Sequence, residues 1–218
     1  MKLLLTSEGL KNKTIEKAFW KLVDRSPKAT TIAYIPTAVH AARTPDKRWL
    51  INTLTKLSDL KIGTVDIVDI SAIPEDMWLP KLKKADVIYT EGGNPYFLNY
   101  WFNKSGLSKK IKSLLKTRVY VGASAGSMVL GEKLLTRPYI KYSIKAPKKA
   151  NINGLKLVKF SIRPHYNRAD RSEFTDESLT KLSKKHKTSI YGIDDESAIL
   201  IKDKKIKIIS EGSYKIYG

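Results

Sequence analysis

Ser124 lies among small residues in Gly122-Ala123-Ser124-Ala125-Gly126, after the apolar stretch 118–121 and just before the run Met128-Val129-Leu130. A sharp strand-to-helix turn in that context exposes a serine hydroxyl as a nucleophile. Flanking glycines let the backbone make the turn and let neighbouring elements approach closely. The helix that follows aims free N–H groups and the positive end of its dipole at the point where an oxyanion would form. The Ala125 amide is then the natural first oxyanion donor. The same segment also fits a structural glycine-rich turn or a phosphate-binding loop, so the serine needs partners. Ser127 falls inside the expected helix and is the weaker nucleophile candidate.

A serine needs a base, and the chain has three histidines. His165, in Arg163-Pro164-His165-Tyr166-Asn167, lies just past a strand end, where parallel sheets place their sites. His186 sits in the charged run Lys184-Lys185-His186-Lys187 and reads as a solvated helix-end residue. His40 follows the second strand, with nothing around it that supports a base role. A base in turn needs an acid that fixes its tautomer and stabilises the imidazolium. Gly192-Ile193-Asp194-Asp195-Glu196-Ser197-Ala198 supplies three consecutive carboxylates at a strand end, out of character in a chain of net charge +20. The order along the chain is Ser, His, acid. The α/β-hydrolase order is Ser, acid, His.

Those residues require a frame, and the pattern of the chain supplies one. Residues 3–6, 31–35, 64–70, 85–90 and 118–121 read as short strands, several of them apolar on both faces. Between them, 14–23 carries Ile15, Ala18, Phe19 and Leu22 at helical spacing. Thr44-Pro45-Asp46 reads as an N-cap, a first-position proline and a first-turn acid. Trp49, Leu50, Leu54 and Leu57 form that helix's apolar face. Helical patterns also cover 96–102, 107–115 and 175–186. Residues 155–162, 189–193, 197–201 and 205–209 read as later strands, with Asp203-Lys204 as a hairpin turn between the last two. Residues 136–153 read as a polar, lysine-rich excursion near the site. Alternating strands and helices predict an α/β fold, a mostly parallel sheet covered on both sides, in one domain over 1–218.

Composition narrows the chemistry. The chain has no cysteine, so disulfides, thiolate metal sites and cysteine nucleophiles are excluded. Three histidines do not suggest a histidine-rich metal site, and no metal or organic cofactor is expected. No stretch approaches the ~20 apolar residues that span a bilayer. The opening Met1-Lys2-Leu3-Leu4-Leu5-Thr6 reads as a buried strand rather than a signal segment, and a cytoplasmic location is expected. The basic excess of 41 Lys and Arg over 21 Asp and Glu is spread along the chain. Without a stripe of interleaved stacking aromatics, it reads as a solvated surface rather than a nucleic-acid site.

Four pieces in order then carry a resemblance: Glu91-Gly92-Gly93-Asn94 after a strand, the Ser124 elbow through Ser127, Arg163-Pro164-His165-Tyr166, and the 192–198 segment. Together they resemble the aspartyl dipeptidase (peptidase E) and cyanophycinase family of serine peptidases. The resemblance implies a class I glutamine-amidotransferase-like, flavodoxin-like three-layer sandwich. It implies Ser124 as nucleophile, His165 as general base, and the Gly93 and Ala125 amides as the oxyanion hole. Dipeptidase-like members carry Glu where this chain has Asp195. Asp195 is therefore the expected acid, with Glu196 as the alternative. Asn94, Arg163, Arg168 and Arg171 are candidates for holding substrate, the arginines by pairing a substrate carboxylate. A small peptide is the expected partner, nucleic acid and membrane are not, and monomer and homodimer both remain open.

Two other readings share some of these features. An esterase or amidase of the common α/β-hydrolase type would use a late histidine, for which His186 is the only candidate. A non-catalytic binder would use the charge on nucleic acid or an anionic surface.

Overall fold

The computed structural model describes residues 1–135, 152–169 and 174–218. Ten strands and seven α-helices follow along these residues. They are β1 (Lys2–Thr6), α1 (Lys13–Val23), β2 (Thr31–Ile35), α2 (Arg48–Asp59), β3 (Thr64–Ile67), α3 (Glu75–Lys84), β4 (Val87–Thr90), α4 (Pro95–Lys104), α5 (Leu107–Leu114), β5 (Val119–Ala123), α6 (Ala125–Met128), β6 (Ser161–Arg163), α7 (Asp176–His186), β7 (Ile190–Ile193), β8 (Ser197–Lys202), β9 (Lys205–Ser210) and β10 (Tyr214–Tyr217).

Seven strands form the main sheet in the order β3-β2-β4-β5-β1-β8-β9. The five from β3 to β1 run parallel, and β8 and β9 close the sheet antiparallel. Its central strands β2, β4, β5 and β1 are buried on both faces, as their unbroken apolar sequences require. In β1, Leu3 and Leu5 enter one core while Leu4 enters the other. Helices α3, α4 and α5 cover the first face through Trp78, Leu82, Leu98, Phe102, Leu107 and Ile111. Helices α1 and α2 cover the second through Ile15, Ala18, Phe19, Leu22 and Leu57. The result is the expected α/β three-layer sandwich with a mostly parallel sheet.

Several elements differ from the sequence expectation. Helix α3 was not expected between the third and fourth strands. Pro74 precedes it and Pro80 lies inside it, and an internal proline removes one amide and breaks the helical pattern. Trp78 and Leu82, both fully buried, hold it on the sheet nonetheless. Helix α2 begins at Arg48, not at Thr44-Pro45-Asp46; the Asp46 carboxylate accepts from the Arg48 amide at 2.9 Å and caps the approach. Of the strand expected over 155–162, only the end is realised, as β6. The later strands do not share one sheet. β7 joins β6 in parallel and β10 antiparallel in a second, three-stranded sheet. β10 itself was not expected. The excursion expected over 136–153 lies almost entirely outside the described residues.

At the end of β5 the backbone passes tightly against β4. A Cβ on Gly126 would stand 2.0 Å from the Thr90 carbonyl oxygen, so only glycine fits. Gly126→Ala is expected to destabilise the protein by about 3 kcal/mol or more, since overpacking here meets backbone rather than a flexible side chain. Urea unfolding measures this, and wild-type stability in the variant would show that the two segments can separate freely.

Candidate active site

Ser124 begins the turn out of β5 with φ 46° and ψ −105°, a conformation that costs an L-residue of order 1–3 kcal/mol and persists only where the surroundings impose it. Its amide donates to the Thr6 carbonyl at 3.1 Å, continuing the β1–β5 ladder. Its carbonyl accepts from the amides of Ser127 and Met128 at 3.0 and 2.9 Å. The turn is thereby fastened on both sides and the hydroxyl is left partly exposed. Ser127 has a different role: its buried hydroxyl donates within reach of the Thr6 and Gly122 carbonyls at 2.7 and 2.8 Å. The helix expected after Ser124 is the single turn α6. Local amides, rather than a long helix dipole, are therefore what it presents.

His165 and Asp195 come from the second sheet. β6 and β7 are parallel neighbours with Arg163 opposite Gly192, so the loops that follow them leave at the same edge. His165 lies two residues past β6 and Asp195 two residues past β7. His165 Nε2 is 3.0 Å from Ser124 Oγ, and His165 Nδ1 is 2.6 Å from Asp195 Oδ1. Burial pushes the Asp195 carboxyl up. The hydrogen bond and charge of His165, the Ser7 hydroxyl and the Arg168 guanidinium outweigh it and hold the group well below the usual carboxylate range. An ionised Asp195 only accepts, so Nδ1 carries the proton, and whenever the ring is neutral its Nε2 accepts from the Ser124 hydroxyl. This arrangement can draw a proton from the serine oxygen.

The three consecutive acids divide their work. Asp194 holds the turn, accepting from the Glu196 amide at 3.1 Å and the Ser197 hydroxyl at 2.6 Å. Asp195 meets His165. Glu196 faces away, with Oε2 3.0 Å from Asn12 Nδ2 beside the start of α1.

On the other side of Ser124, the loop after β4 passes so close that a Cβ on Gly92 would lie 3.3 Å from Ser124 Cβ. Gly93 has φ 136°, and a Cβ there would lie 2.2 Å from the Ala38 carbonyl oxygen. Only glycine can hold this path, which brings a backbone amide beside the nucleophile. Among the described residues the Gly93 and Ala125 amides donate to no acceptor. Glu91 supports this loop from beneath. Its Oε1 accepts from the Gly92 amide at 2.7 Å, and its Oε2 accepts from the Tyr34 hydroxyl. Burial pushes the Glu91 carboxyl up, and the Tyr34, Gly92 and Thr53 donors only partly offset it.

These groups open into a cleft of about 540 Å³, within the size range of small-ligand sites. Lys11, Arg43, Lys56, Arg163 and Arg168 line it, as do Glu8, Glu91 and Asn94. Asn94 caps α4, its Oδ1 accepting from the Tyr96 and Phe97 amides at 3.0 Å. Arg163 is buried, with its guanidinium 3.2 Å from the centre of the Phe174 ring. Arg168 pairs with Asp195 Oδ2 at 3.3 Å. Arg171 lies outside the described residues. His40 pairs with Asp69 at 2.6 Å, and His186 ends α7; neither lines the cleft.

Ser7 and Glu91 bond directly to the groups around Ser124, and residue types and spacing give neither of them a role. Ser7 carried a usable signal, since it directly follows a strand of the parallel set.

The fold and this arrangement define an α/β three-layer sandwich with a serine elbow, an imidazole and a carboxylate in line at one edge of the sheet. The family model of peptidase family S51 matches residues 3–209, and the chain belongs to that family of serine-type peptidases. An uncharacterized peptidase of Listeria monocytogenes is 29% identical over 187 residues, covering 85% of this chain and 84% of its own. A peptidase E of Shewanella oneidensis is 34% identical over 120 residues, covering 55% of this chain and 47% of its own. A crystal structure from Listeria monocytogenes EGD-e, provisionally described as a peptidase E protein, matches with a TM-score of 0.78 at 24% identity. It covers 97% of this chain and 98% of that one. Among the described residues no helix is long and apolar enough to cross a membrane.

The depressed Asp195 carboxyl gives a linkage prediction. A group whose folded-state value lies below its unfolded value contributes stability above the unfolded value, about 3.9 for Asp. That contribution is lost as pH falls toward the folded value. The stability gap between wild type and Asp195→Asn is therefore expected to narrow as pH falls below about 4. Thermal melts of both proteins across pH 2.5–7 (about five steps) measure it; a gap that widens as pH falls below about 4 would contradict a carboxylate held ionised by these partners.

Proposed function

We propose that the protein is a serine exopeptidase that cleaves short peptides, dipeptides first among them, through an acyl-enzyme on Ser124. The observation that carries this reading is one imidazole bonded on both sides, to Ser124 Oγ at 3.0 Å and to Asp195 at 2.6 Å. Ser124 attacks the scissile carbonyl carbon while His165 Nε2 takes its proton. Asp195 steadies the imidazolium through Nδ1–H, and the Gly93 and Ala125 amides receive the carbonyl oxygen as it becomes an oxyanion. His165 then gives the proton to the leaving amine. A water, deprotonated by the same nitrogen, attacks the ester and releases the acid product and the free serine.

The cleft's cations support a preference for a substrate carboxylate, as in peptides with N-terminal Asp. Five basic side chains line it against the acids Glu8 and Glu91, and burial drives Glu91 toward its neutral form. A guanidinium pairs a carboxylate with two parallel hydrogen bonds.

Ser124→Ala is expected to lower kcat by roughly three orders of magnitude or more with the fold intact. Asp195→Asn is expected to lower kcat by up to about 10⁴-fold through the wrong tautomer, while Glu196→Gln stays near wild type. A fluorophosphonate should label Ser124, as peptide mapping would show. A panel of Asp-Xaa and neutral dipeptides measures specificity. Equal kcat/KM across the panel would remove the acidic preference, and full activity in Ser124→Ala would remove the reading itself.

A further inference from the structure

Ser7 directly follows β1 and is fully buried. In the β1–β5 register Thr6 lies opposite Ala123, so Ser7 stands beside Ser124 on the neighbouring strand. Its side chain turns toward the second sheet. The hydroxyl donates to Asp195 Oδ1 at 2.7 Å and accepts from the His165 backbone amide at 2.8 Å. The same oxygen is 3.4 Å from His165 Nδ1.

The two bonds tie the base and the acid to the same hydroxyl. His165 has φ 58°, a left-handed conformation that an L-histidine adopts rarely and only where its surroundings impose it. Its amide is held by Ser7 alone among the described residues. Asp195 carries two loads on one oxygen, since Oδ1 accepts from both Ser7 and His165 Nδ1, while Arg168 takes Oδ2. An aspartate has a short side chain with one fewer torsion than a glutamate, so fixing Oδ1 fixes the whole group.

We propose that Ser7 is a positioning residue, the hydroxyl that anchors the His165–Asp195 pair to the strand beside Ser124 and so sets the approach of Nε2 to the nucleophile. This rests on the reading of Ser124, His165 and Asp195 given above. Ser7 exchanges no proton with substrate. It acts through the orientation of the base, and a displacement of the order of 1 Å in such a group costs about 100-fold in rate.

The test compares wild type with Ser7→Ala in steady-state kinetics, in fluorophosphonate labelling of Ser124 and in the proton NMR spectrum of the resting enzyme. There the Nδ1–H of His165, bonded at 2.6 Å to Asp195, should resonate far downfield. Ser7→Ala is expected to lower kcat by about 10- to 100-fold with KM within about twofold. It should slow labelling in parallel, and shift or broaden the downfield proton. Ser7→Cys, close in size but a weaker donor and acceptor, should fall between the two. If Ser7→Ala does not fold, Ser7→Cys carries the same three readouts.

A kcat within twofold of wild type overturns the proposal, whatever happens to Tm. So does a reduced kcat with the downfield proton unmoved, because the loss would then have another origin. The two levels of the reading separate cleanly. If wild type is not labelled at Ser124, the function of the site falls and the role of Ser7 falls with it. If wild type is labelled and Ser7→Ala is labelled as fast, Ser7 alone is overturned.

Discussion

The site depends on holding Ser124 in a turn that its backbone would not choose. At φ 46° and ψ −105° the residue stores strain of order 1–3 kcal/mol, and the sheet supplies the restraint. Its amide is spent on Thr6 of β1 and its carbonyl on the first turn of α6. Thr6 adds a side-chain bond to the Gly122 carbonyl at 2.8 Å, and the Ser127 hydroxyl reaches the same two strands. β1 can do this because it lies parallel and adjacent to β5 with their ends level. A parallel sheet buried on both faces is what makes that level edge rigid, and it is why the core is a condition of the chemistry.

The net charge of +20 says little about this edge. Surface charges more than ~8 Å apart are largely screened at physiological salt, and several cations near the cleft have partners of their own. Lys56 pairs with Glu16 at 2.9 Å and Lys11 with Glu8 at 2.5 Å. What governs the site is local pairing in partly buried surroundings, where Asp195 is kept ionised by His165 and its neighbours.

The elbow was legible in the sequence because its determinants are contiguous: an apolar strand, two glycines and a serine between them. So was the order of serine, histidine and acid. Asp195 is the expected acid only through the resemblance, with Glu196 as the alternative; residue types alone do not single it out, because a tight turn decides where Asp194, Asp195 and Glu196 are aimed. That turn is set by bonds from Asp194 to Ser197 and to the backbone beyond β9, at Ser213. The second sheet was also hidden. β7 and β8 are equally apolar, and period and composition do not reveal that one leaves the main sheet. α3 was missed for the opposite reason: Pro80 gives a strong local signal against a helix, which the burial of Trp78 and Leu82 overrides. Ser7 is a single polar residue, and its role exists only once β1 lies beside β5.

The division of the site between two sheets carries a consequence for charge. Ser124 and the Gly92-Gly93 loop ride on the main sheet, while His165 and Asp195 ride together on the ends of β6 and β7. The two halves meet at Ser124, through His165 Nε2, and at Ser7, which bonds both His165 and Asp195. In the proposed mechanism, negative charge develops on a substrate oxygen at the Gly93 amide, two residues along the chain from Glu91. An ionised carboxylate there would oppose that charge across a short, poorly screened distance. Burial drives Glu91 the other way, toward its neutral form, while its oxygens still hold the Gly92 amide and the Tyr34 hydroxyl. The same burial thus lets an acidic residue shape the loop beside the nucleophile while limiting its repulsion of the oxyanion.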